Sequence, residues 1–478
     1  MPVPATKGPF LPSGSRVALD GRIRLWGADG DVVLGGTPWG VVRLGTAAAD
    51  LVLRLRSAGE RGLELSAVTD LAAADRLVGR GIVHPVPLPC AAGRSQVQVV
   101  VPAYGRPDLL EACLASLAGA DVVVVDDASP ADDVALVARR HGARLVRHTF
   151  NRGPAAARNT GLAATLAPLV AFVDADCRVT DGWLDVLVPL FDDARVGAVA
   201  PRVLPRSDVR TLLARHEQAR SALDMGRRRE LVRHGGALGF LPSAALVLRR
   251  DAVSARPFDE AMRVGEDVDL IWRLLEEGWL VRYEPSAQVC HEMRLDPRDW
   301  ARRRYEYGTS AQALDRRHPG QLAPARPSAW NLAAIAALVA GRPRLAAALS
   351  ATASAALAVR LRRAGVCPAV AALVVTKGTV ADAAALGHAL RREWWPVGWA
   401  ALLASARSRP AQAAALSMLA PIGLEWWRAR PDVDPARYAL LRLLEDAAYG
   451  SGVIVSAVTG GRPRALAPQV RFPGRPLR

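Results

Sequence analysis

Residues 169–177 read LVAFVDADC, an apolar run that ends in two carboxylates separated by one alanine. An apolar run bounded by polar residues is typical of a strand buried on both faces of a parallel sheet. If the extended backbone continues past Val173, Asp174 and Asp176 project to the same side, because side chains alternate along a strand. Ligands of open α/β sheets bind beyond the carboxyl ends of strands, and carboxylate oxygens suit Mg²⁺. The pattern therefore favours a metal site, although it also fits a strand end that caps the next helix.

The residues before this stretch alternate between strand and helix patterns. We predict strands at 97–101, 122–125 and 144–146, and helices that begin at Pro107, span 131–141 and follow Asn151. Such alternation indicates a doubly wound, mostly parallel, Rossmann-like sheet. No GxGxxG follows the first strand, which argues against a dinucleotide site.

Length, charge and cysteine usage limit the possible classes of protein. A chain of 478 residues allows several domains, and its formal net charge of +16 suits nucleic acid, anionic lipid or a nucleotide diphosphate. The five cysteines are far apart without metal-ligand spacing, and the opening residues MPVPATKGPFLPSGS lack a signal-peptide pattern. These features predict a reducing, cytosolic setting.

The first ninety residues form a separate pattern. Alternating residues with many glycines at 21–44 predict short strands, 47–55 and 65–78 have near-helical apolar spacing, and the proline-rich 84–89 is a plausible linker. We expect a small, winged-helix-like α+β domain at 1–90. It resembles the peptide-recognition elements of ribosomal-peptide pathways, which implies a pathway peptide or protein as partner. A winged-helix DNA reader and a purely structural cap are the alternatives.

Four motifs in order identify the central region. The runs VVVPAYGR, VVVVDDAS, NRGPAAARNTG and FVDAD, between residues 99 and 176, together resemble the family 2 glycosyltransferases with the GT-A fold. The resemblance extends over about 96–318, and we expect the catalytic domain at 95–318. It implies a metal-dependent, inverting hexosyltransferase that uses Mg²⁺ or Mn²⁺.

The resemblance also assigns roles to individual residues. It implies that one of the adjacent Asp126 and Asp127, with Asp127 preferred, contacts the nucleotide, and that the other nucleotide-site residues are Asn151, Arg158, Asp174 and Asp176. It implies metal ligation by Asp174 and Asp176, with His291 as a third ligand or a diphosphate contact. A packed or solvated His291 is equally compatible with the sequence.

The region after 230 is expected to supply the acceptor pocket and the base. Residues 235–246, GGALGFLPSAAL, resemble the small-residue stretch that lines the acceptor and donor-sugar pocket. Apolar spacing predicts a helix whose amino end carries Glu266 and Asp267. Acidic residues are favoured at any helix start, but the resemblance makes this pair catalytic and Asp267 the general base. We also expect Arg302 to Arg304 to approach the diphosphate from a closing segment.

The carboxyl-terminal third, 319–478, is rich in alanine and helical in pattern. We predict helices at 329–340, 345–359, 368–375, 396–404 and 411–426. Most apolar runs are shorter than the roughly 18 residues of a spanning helix, while tryptophans flanked by arginines suit a membrane interface. We expect association with the cytoplasmic face of the cell membrane, and the alternative is an ordinary helical bundle. No QxxRW motif follows the core, so processive extrusion of a long chain is not supported.

The whole arrangement resembles the glycosyltransferases of mycofactocin systems, through GEDVDL, RRRYEYGTSAQALDRRHPG and LLEDAAYGSGV. That resemblance implies UDP-glucose as donor and β-1,4-linked glucose addition to pre-mycofactocin, a small peptide-derived acceptor. Two alternatives remain open: a family 2 enzyme that acts on a lipid or envelope polysaccharide, and a basic winged-helix nucleic-acid-binding protein with a non-catalytic core.

Overall fold

The structure is a computed structural model that describes residues 10–27, 30–362, 365–461 and 463–472. The chain forms two compact units. The first contains the described residues up to Asp208 together with Arg220–Met293, and the second contains Val209–Ala219 and the described residues from Arg294 onward. The division into three domains at residues 90 and 318 stays a prediction.

The amino-terminal part of the first unit consists of two small antiparallel sheets and two helices. Its elements are β1 (Ser15–Leu19), β2 (Arg24–Trp26), β3 (Val32–Gly35), β4 (Gly40–Arg43), α1 (Thr46–Ala58), β5 (Leu63–Leu65), α2 (Val68–Val78) and β6 (Val83–Pro85). The strands pair in the orders β5-β1-β6 and β2-β3-β4. Leu51 and Leu55, four residues apart on α1, share a buried core with Leu71 of α2. Both helices therefore form where their apolar spacing predicts, with α2 inside 65–78 and α1 longer than the predicted 47–55.

The rest of the first unit is built on a nine-stranded sheet. Its strands are β7 (Val97–Ala103), β8 (Asp121–Asp126), β9 (Arg144–Arg147), β10 (Leu169–Val173), β11 (Cys177–Val179), β12 (Val196–Arg206), β13 (Glu230–Val232), β14 (Ala245–Arg249) and β15 (Leu280–Glu292). Its helices are α3 (Pro107–Ser116), α4 (Asp133–Arg140), α5 (Pro154–Ala163), α6 (Trp183–Leu187) and α8 (Glu266–Glu276), while α7 (Leu212–Ala219) belongs to the second unit.

The sheet is parallel in one half and mixed in the other. The strand order is β11-β15-β12-β14-β10-β7-β8-β9, with β13 paired to β15. Strands β10, β7, β8 and β9 pair in parallel, as the alternation of strands and helices predicts. Strand β14 runs antiparallel to both β10 and β12, and β12 pairs in parallel with β15. Strand direction here follows from the connections between strands, which apolar runs alone do not encode.

Strand β10 lies between β7 and β14, and all five of its residues are buried. Phe172 packs edge-on against Phe258, with ring centroids 5.3 Å apart, a geometry that aromatic pairs prefer. The continuous apolar run is explained by burial on both faces. Asp174 and Asp176 follow where the chain leaves the sheet.

The second unit is helical. Besides α7 it contains α9 (Pro297–Thr309), α10 (Ala311–Arg317), α11 (Ala329–Val339), α12 (Pro343–Arg362), α13 (Pro368–Arg391), α14 (Trp395–Ala404), α15 (Arg409–Ala429) and α16 (Pro435–Thr459). The five predicted helices are present, but the one predicted at 368–375 continues to Arg391. Helix α16 was not predicted, because its buried glycines and charged residues interrupt the apolar pattern. At Gly452 a Cβ atom would lie 2.1 Å from the Tyr305 carbonyl oxygen, so glycine permits close packing with α9.

Two of these helices are long and largely apolar. Pro343–Arg362 and Pro368–Arg391 have apolar windows of mean hydropathy 1.2 and 1.5, and little of either window is buried. In the described part of the chain they are the two helices that are long and apolar enough to cross a membrane, by length and composition alone.

The expectation for Arg304 is wrong. This side chain is buried in the second unit, where it forms ion pairs with Glu217 at 2.7 Å and Glu445 at 2.9 Å. Arg302, by contrast, is exposed and pairs with Glu306 on the same helix at 2.9 Å. A run of arginines on a helix points in several directions, and Arg304 is turned toward the core of the helical unit.

Candidate functional site

The two aspartates after β10 lie in a tight turn. The Cys177 backbone N–H donates to the Asp174 carbonyl oxygen at 2.9 Å, which closes a four-residue turn. The extended backbone therefore does not continue through Asp176, and the expectation that both side chains project to one side of a strand is wrong. The turn gives the two carboxylates different partners.

Asp174 contacts a buried arginine that links it to the start of α8. Arg158 of α5 donates from Nη2 to Asp174 Oδ1 at 2.7 Å and from Nη1 to Glu266 Oε1 at 2.8 Å. Its side chain is only 4 % exposed, and its guanidinium lies 5.6 Å from the Phe258 ring centre. Burial alone lowers the pKa of Arg158, but the surrounding carboxylates outweigh burial and hold that pKa above its ordinary value. Arg158 thus stays charged between two acidic motifs.

The amino end of α8 presents Glu266 and Asp267, as predicted. The Asp267 carboxylate accepts backbone N–H groups from Ser243 at 3.1 Å and from Val268 at 2.8 Å. Burial, reinforced by the neighbouring carboxylate, raises the pKa of Glu266 to about 7. Burial likewise raises the pKa of Asp267, although the Ser243 hydrogen bond opposes this shift. Two adjacent acids therefore titrate closer to neutrality than exposed carboxylates do.

Asp176 lies beside His291, which β15 positions opposite Cys177 in the antiparallel pair with β11. His291 Nε2 is 3.4 Å from Asp176 Oδ2, and both side chains are about one-fifth exposed. Among the described residues, no three histidine, cysteine, aspartate or glutamate side chains form a group that could hold a metal ion. Mg²⁺ commonly uses one or two carboxylates and completes its shell with water and substrate phosphates. A carboxylate next to an imidazole fits a cation that is shared with a diphosphate.

Asp127, directly after β8, makes its hydrogen bonds to the loop before α5 and to His148. Asp127 accepts backbone N–H groups from Arg152 at 2.9 Å and Gly153 at 2.7 Å, and lies 2.7 Å from His148 Nδ1. Asn151 is exposed at the start of the same loop. Among the described contacts, Asp127 therefore holds the loop before α5 in place and is not joined to the Arg158 cluster. Its assignment to the nucleotide stays a prediction.

Sequence reasoning missed three contributors to this site. Ser243 acts through its backbone N–H, Phe258 through its ring, and His148 through its contact with Asp127. Ser243 lies inside the stretch GGALGFLPSAAL, which the sequence places near the acceptor pocket. The sequence did not predict the hydrogen bond that Ser243 donates to Asp267. A backbone donor leaves no residue-type signal in a sequence.

Comparisons with known proteins point to one family. The family model described as "Glycosyl transferase family 2" matches residues 98–255. The "Pre-mycofactocin glycosyltransferase" of Mycobacterium tuberculosis (strain CDC 1551 / Oshkosh) is 37% identical over 483 residues, which cover 96% of this chain and 99% of that protein. The "Succinoglycan biosynthesis protein ExoU" of Rhizobium meliloti (strain 1021) is 32% identical over 212 residues, which cover 39% of this chain and 59% of that protein.

Solved structures match less closely. A mannosyltransferase from Pyrobaculum calidifontis in complex with GDP-Man and Mn²⁺ covers 68% of this chain and 87% of its own, with 19% identity and a TM-score of 0.36. Residues 1–349 of TarS from S. aureus in complex with UDP-GlcNAc cover 46% of this chain and 66% of their own, with 16% identity and a TM-score of 0.38. At these TM-scores neither structure supports a conclusion about this chain.

Proposed function

Because the chain belongs to the family 2 glycosyltransferases, we propose that it transfers glucose from UDP-glucose to pre-mycofactocin. We infer further that it builds β-1,4 linkages with inversion at the anomeric carbon. The observation that supports pre-mycofactocin as the acceptor is the 37% identity along 96% of the chain with the mycobacterial pre-mycofactocin glycosyltransferase. The similarity includes the regions outside the shared family domain, where an acceptor-specific likeness would be found.

The acid pair at the start of α8 supports the proposed chemistry. In one displacement the acceptor hydroxyl oxygen bonds to the anomeric carbon, the bond from that carbon to the diphosphate oxygen breaks, and UDP leaves. Asp267 takes the hydroxyl proton as the general base, and its raised pKa brings its basicity nearer to working pH. Glu266 accepts a hydrogen bond from Arg158 at 2.8 Å, and the charge of this guanidinium also favours the ionised form of Asp267. With one base and one displacement, an α-linked donor gives a β-linked product.

Residues on both sides of β10 in the chain would serve the donor. Asp176 and His291, with Asp174 next to them, would hold Mg²⁺ or Mn²⁺, and Asp127, Asn151 and Arg158 would shape the nucleotide site. When bound, the cation supplies positive charge that stabilises the leaving diphosphate. Arg158 fixes the Asp174 carboxylate by a 2.7 Å hydrogen bond, so the turn does not have to reorganise when the donor arrives.

The remaining regions suggest where the enzyme works. We propose that the two long apolar helices attach the enzyme to the cytoplasmic face of the cell membrane. The net positive charge of the chain would then interact with anionic lipid and with the donor diphosphate, and not with nucleic acid. The amino-terminal part is proposed to bind a pathway peptide or protein.

The test is mass spectrometry of purified enzyme incubated with pre-mycofactocin, UDP-glucose and a divalent cation. Hexose additions that EDTA abolishes would support the donor, the acceptor and the metal together. The Asp267→Asn variant is the matched control, because it removes the base and leaves the donor site intact. Transfer to extracted lipid, with none to pre-mycofactocin, would overturn the acceptor while keeping the transferase.

A further inference from the structure

Strand β13 and the residues that follow it up to the start of β14, here called the 230–244 segment, connect two regions of the first unit. One end contacts the amino-terminal part of the first unit, and the other contacts the acidic site. This segment includes residues 235–244 of the stretch that resembles an acceptor-pocket lining. A rigid link between the two regions would give the amino-terminal part a role in catalysis.

At the first end, an arginine fork joins β13 to the amino-terminal part. Arg22 donates from Nη2 to Glu230 at 2.7 Å, and its Nη1 lies 2.7 Å from the other Glu230 oxygen. Asp20 accepts two hydrogen bonds from the same guanidinium and lies 3.1 Å from His84 Nε2. Glu230, Asp20 and His84 are all buried. Bidentate pairs of this kind fix orientation as well as distance.

Two further contacts hold the same end. Arg233 donates to the Gly79 carbonyl oxygen at 3.3 Å. Gly236 packs against Thr37 so closely that a Cβ atom would lie 2.6 Å from the threonine methyl carbon. The segment is therefore seated on the amino-terminal part by both polar and steric contacts.

At the second end, the segment reaches both acidic motifs. Trp272 of α8 donates from its ring N–H to the Gly239 carbonyl oxygen at 2.8 Å. The Ser243 N–H donates to Asp267 at 3.1 Å, and the Ala244 carbonyl oxygen accepts the Asp174 N–H at 2.9 Å. A shift of this segment would change the hydrogen bonding of Asp267 and of the turn after β10 together.

We propose that Arg22 is a positioning residue for the transferase site, because its pair with Glu230 holds the 230–244 segment so that the Ser243 N–H stays on Asp267. The inference rests on the proposed function, in which Asp267 is the base. The charges of Arg158 on α5, Asp174 after β10 and Glu266 on the same helix also act on Asp267. Losing the Ser243 bond removes a contact that favours the charged carboxylate, so the base would then titrate at higher pH.

The experiment is a double-mutant cycle with Arg22→Gln and Glu230→Gln on the full-length enzyme. Each single variant is expected to lower kcat for glucose transfer by about 2- to 30-fold, the range for mutations along a coupling network. The KM for UDP-glucose is expected to stay unchanged, and the acidic limb of the pH profile is expected to move to higher pH. The double variant should lose no more than one single variant, since both remove the same pair. Arg22→Lys should restore part of the rate.

The matched control is Arg54→Gln, because Arg54 pairs with Asp50 and Asp70 inside the amino-terminal part. It should leave kcat and the pH profile unchanged. Gly236→Ala serves as a second probe, since its methyl group would displace the segment while the Arg22 pair remains intact.

The Arg22→Gln and Gly236→Ala variants are assayed well below their melting temperatures. The inference is refuted if both variants have lower melting temperatures than wild type but keep the wild-type kcat and the wild-type acidic limb of the pH–rate profile. A wild-type enzyme that adds no glucose to pre-mycofactocin would instead refute the proposed acceptor. In that case hydrolysis of UDP-glucose, with water in place of the acceptor, supplies the same kcat comparison.

Discussion

Replacing Arg158 by methionine tests the acidic site most directly. The guanidinium is 4 % exposed and holds Asp174 at 2.7 Å and Glu266 at 2.8 Å. Removing one partner of a buried ion pair typically costs about 3–5 kcal/mol, because it leaves uncompensated buried charge. At about 2–4 °C per kcal/mol for a unit of this size, the melting temperature should fall by roughly 6–20 °C.

The loss should depend on pH in a defined direction. The pKa of Glu266 is raised by burial from 4.5 to about 7, so the folded state binds more protons than the unfolded state between these values. Stability therefore falls as pH rises through this window. Arg158 lowers the pKa of Glu266, so in its absence that pKa rises further and the loss extends to higher pH. The difference in melting temperature between wild type and Arg158→Met should grow as pH rises.

Calorimetry of both proteins between about pH 5.5 and pH 8.5 measures this difference. Arg202→Met is the matched control, because Arg202 is also largely buried and donates two hydrogen bonds, at 2.8 and 2.6 Å, to one carboxylate, Asp224. Its loss of stability should vary little over the same interval. An Arg158→Met loss that is equally large at both ends of the pH range, or no larger than about 1 kcal/mol, the usual worth of an exposed pair, would refute the reasoning.

Three further outcomes are expected. Asp267→Asn should abolish glucose transfer while calorimetric titration still shows UDP binding, because the base acts on the acceptor; loss of UDP binding would contradict the assigned role. Asp176→Asn should weaken donor binding only when a divalent cation is present, and His291→Ala should do so to a smaller extent; an equal loss in EDTA would count against a shared cation. Full-length protein should float with anionic vesicles through Pro343–Arg362 and Pro368–Arg391, and flotation should survive high salt since apolar burial is not screened; protein that stays in the bottom fraction would contradict membrane attachment.

Much of the fold was predictable because its signals are local. The apolar run at Leu169–Val173, the proline that opens α3 and the acidic start of α8 each depend on neighbouring residues, and each is found where expected. The parallel order of β7, β8, β9 and β10 follows from alternation with helices. The amino end of a helix and the end of a buried strand can thus be placed from spacing alone.

Errors arose where a local pattern had more than one three-dimensional outcome. The DAD run continues as a turn, so Asp174 and Asp176 have separate partners. The arginine cluster after residue 301 includes Arg304, which is buried against Glu217 and Glu445. In both cases the residue types were informative, but the backbone path and the helix face determined their contacts.

The sequence by itself determined which residues carry charge and where many of the strands and helices of the first unit lie, because periodicity and capping act over a few residues. Only the tertiary structure decided that Arg158 joins Asp174 to Glu266, a residue 108 positions away, and that Arg22 meets Glu230 across 208 positions. Such pairings depend on the order and direction of the strands, which long-range packing selects and which no local pattern records.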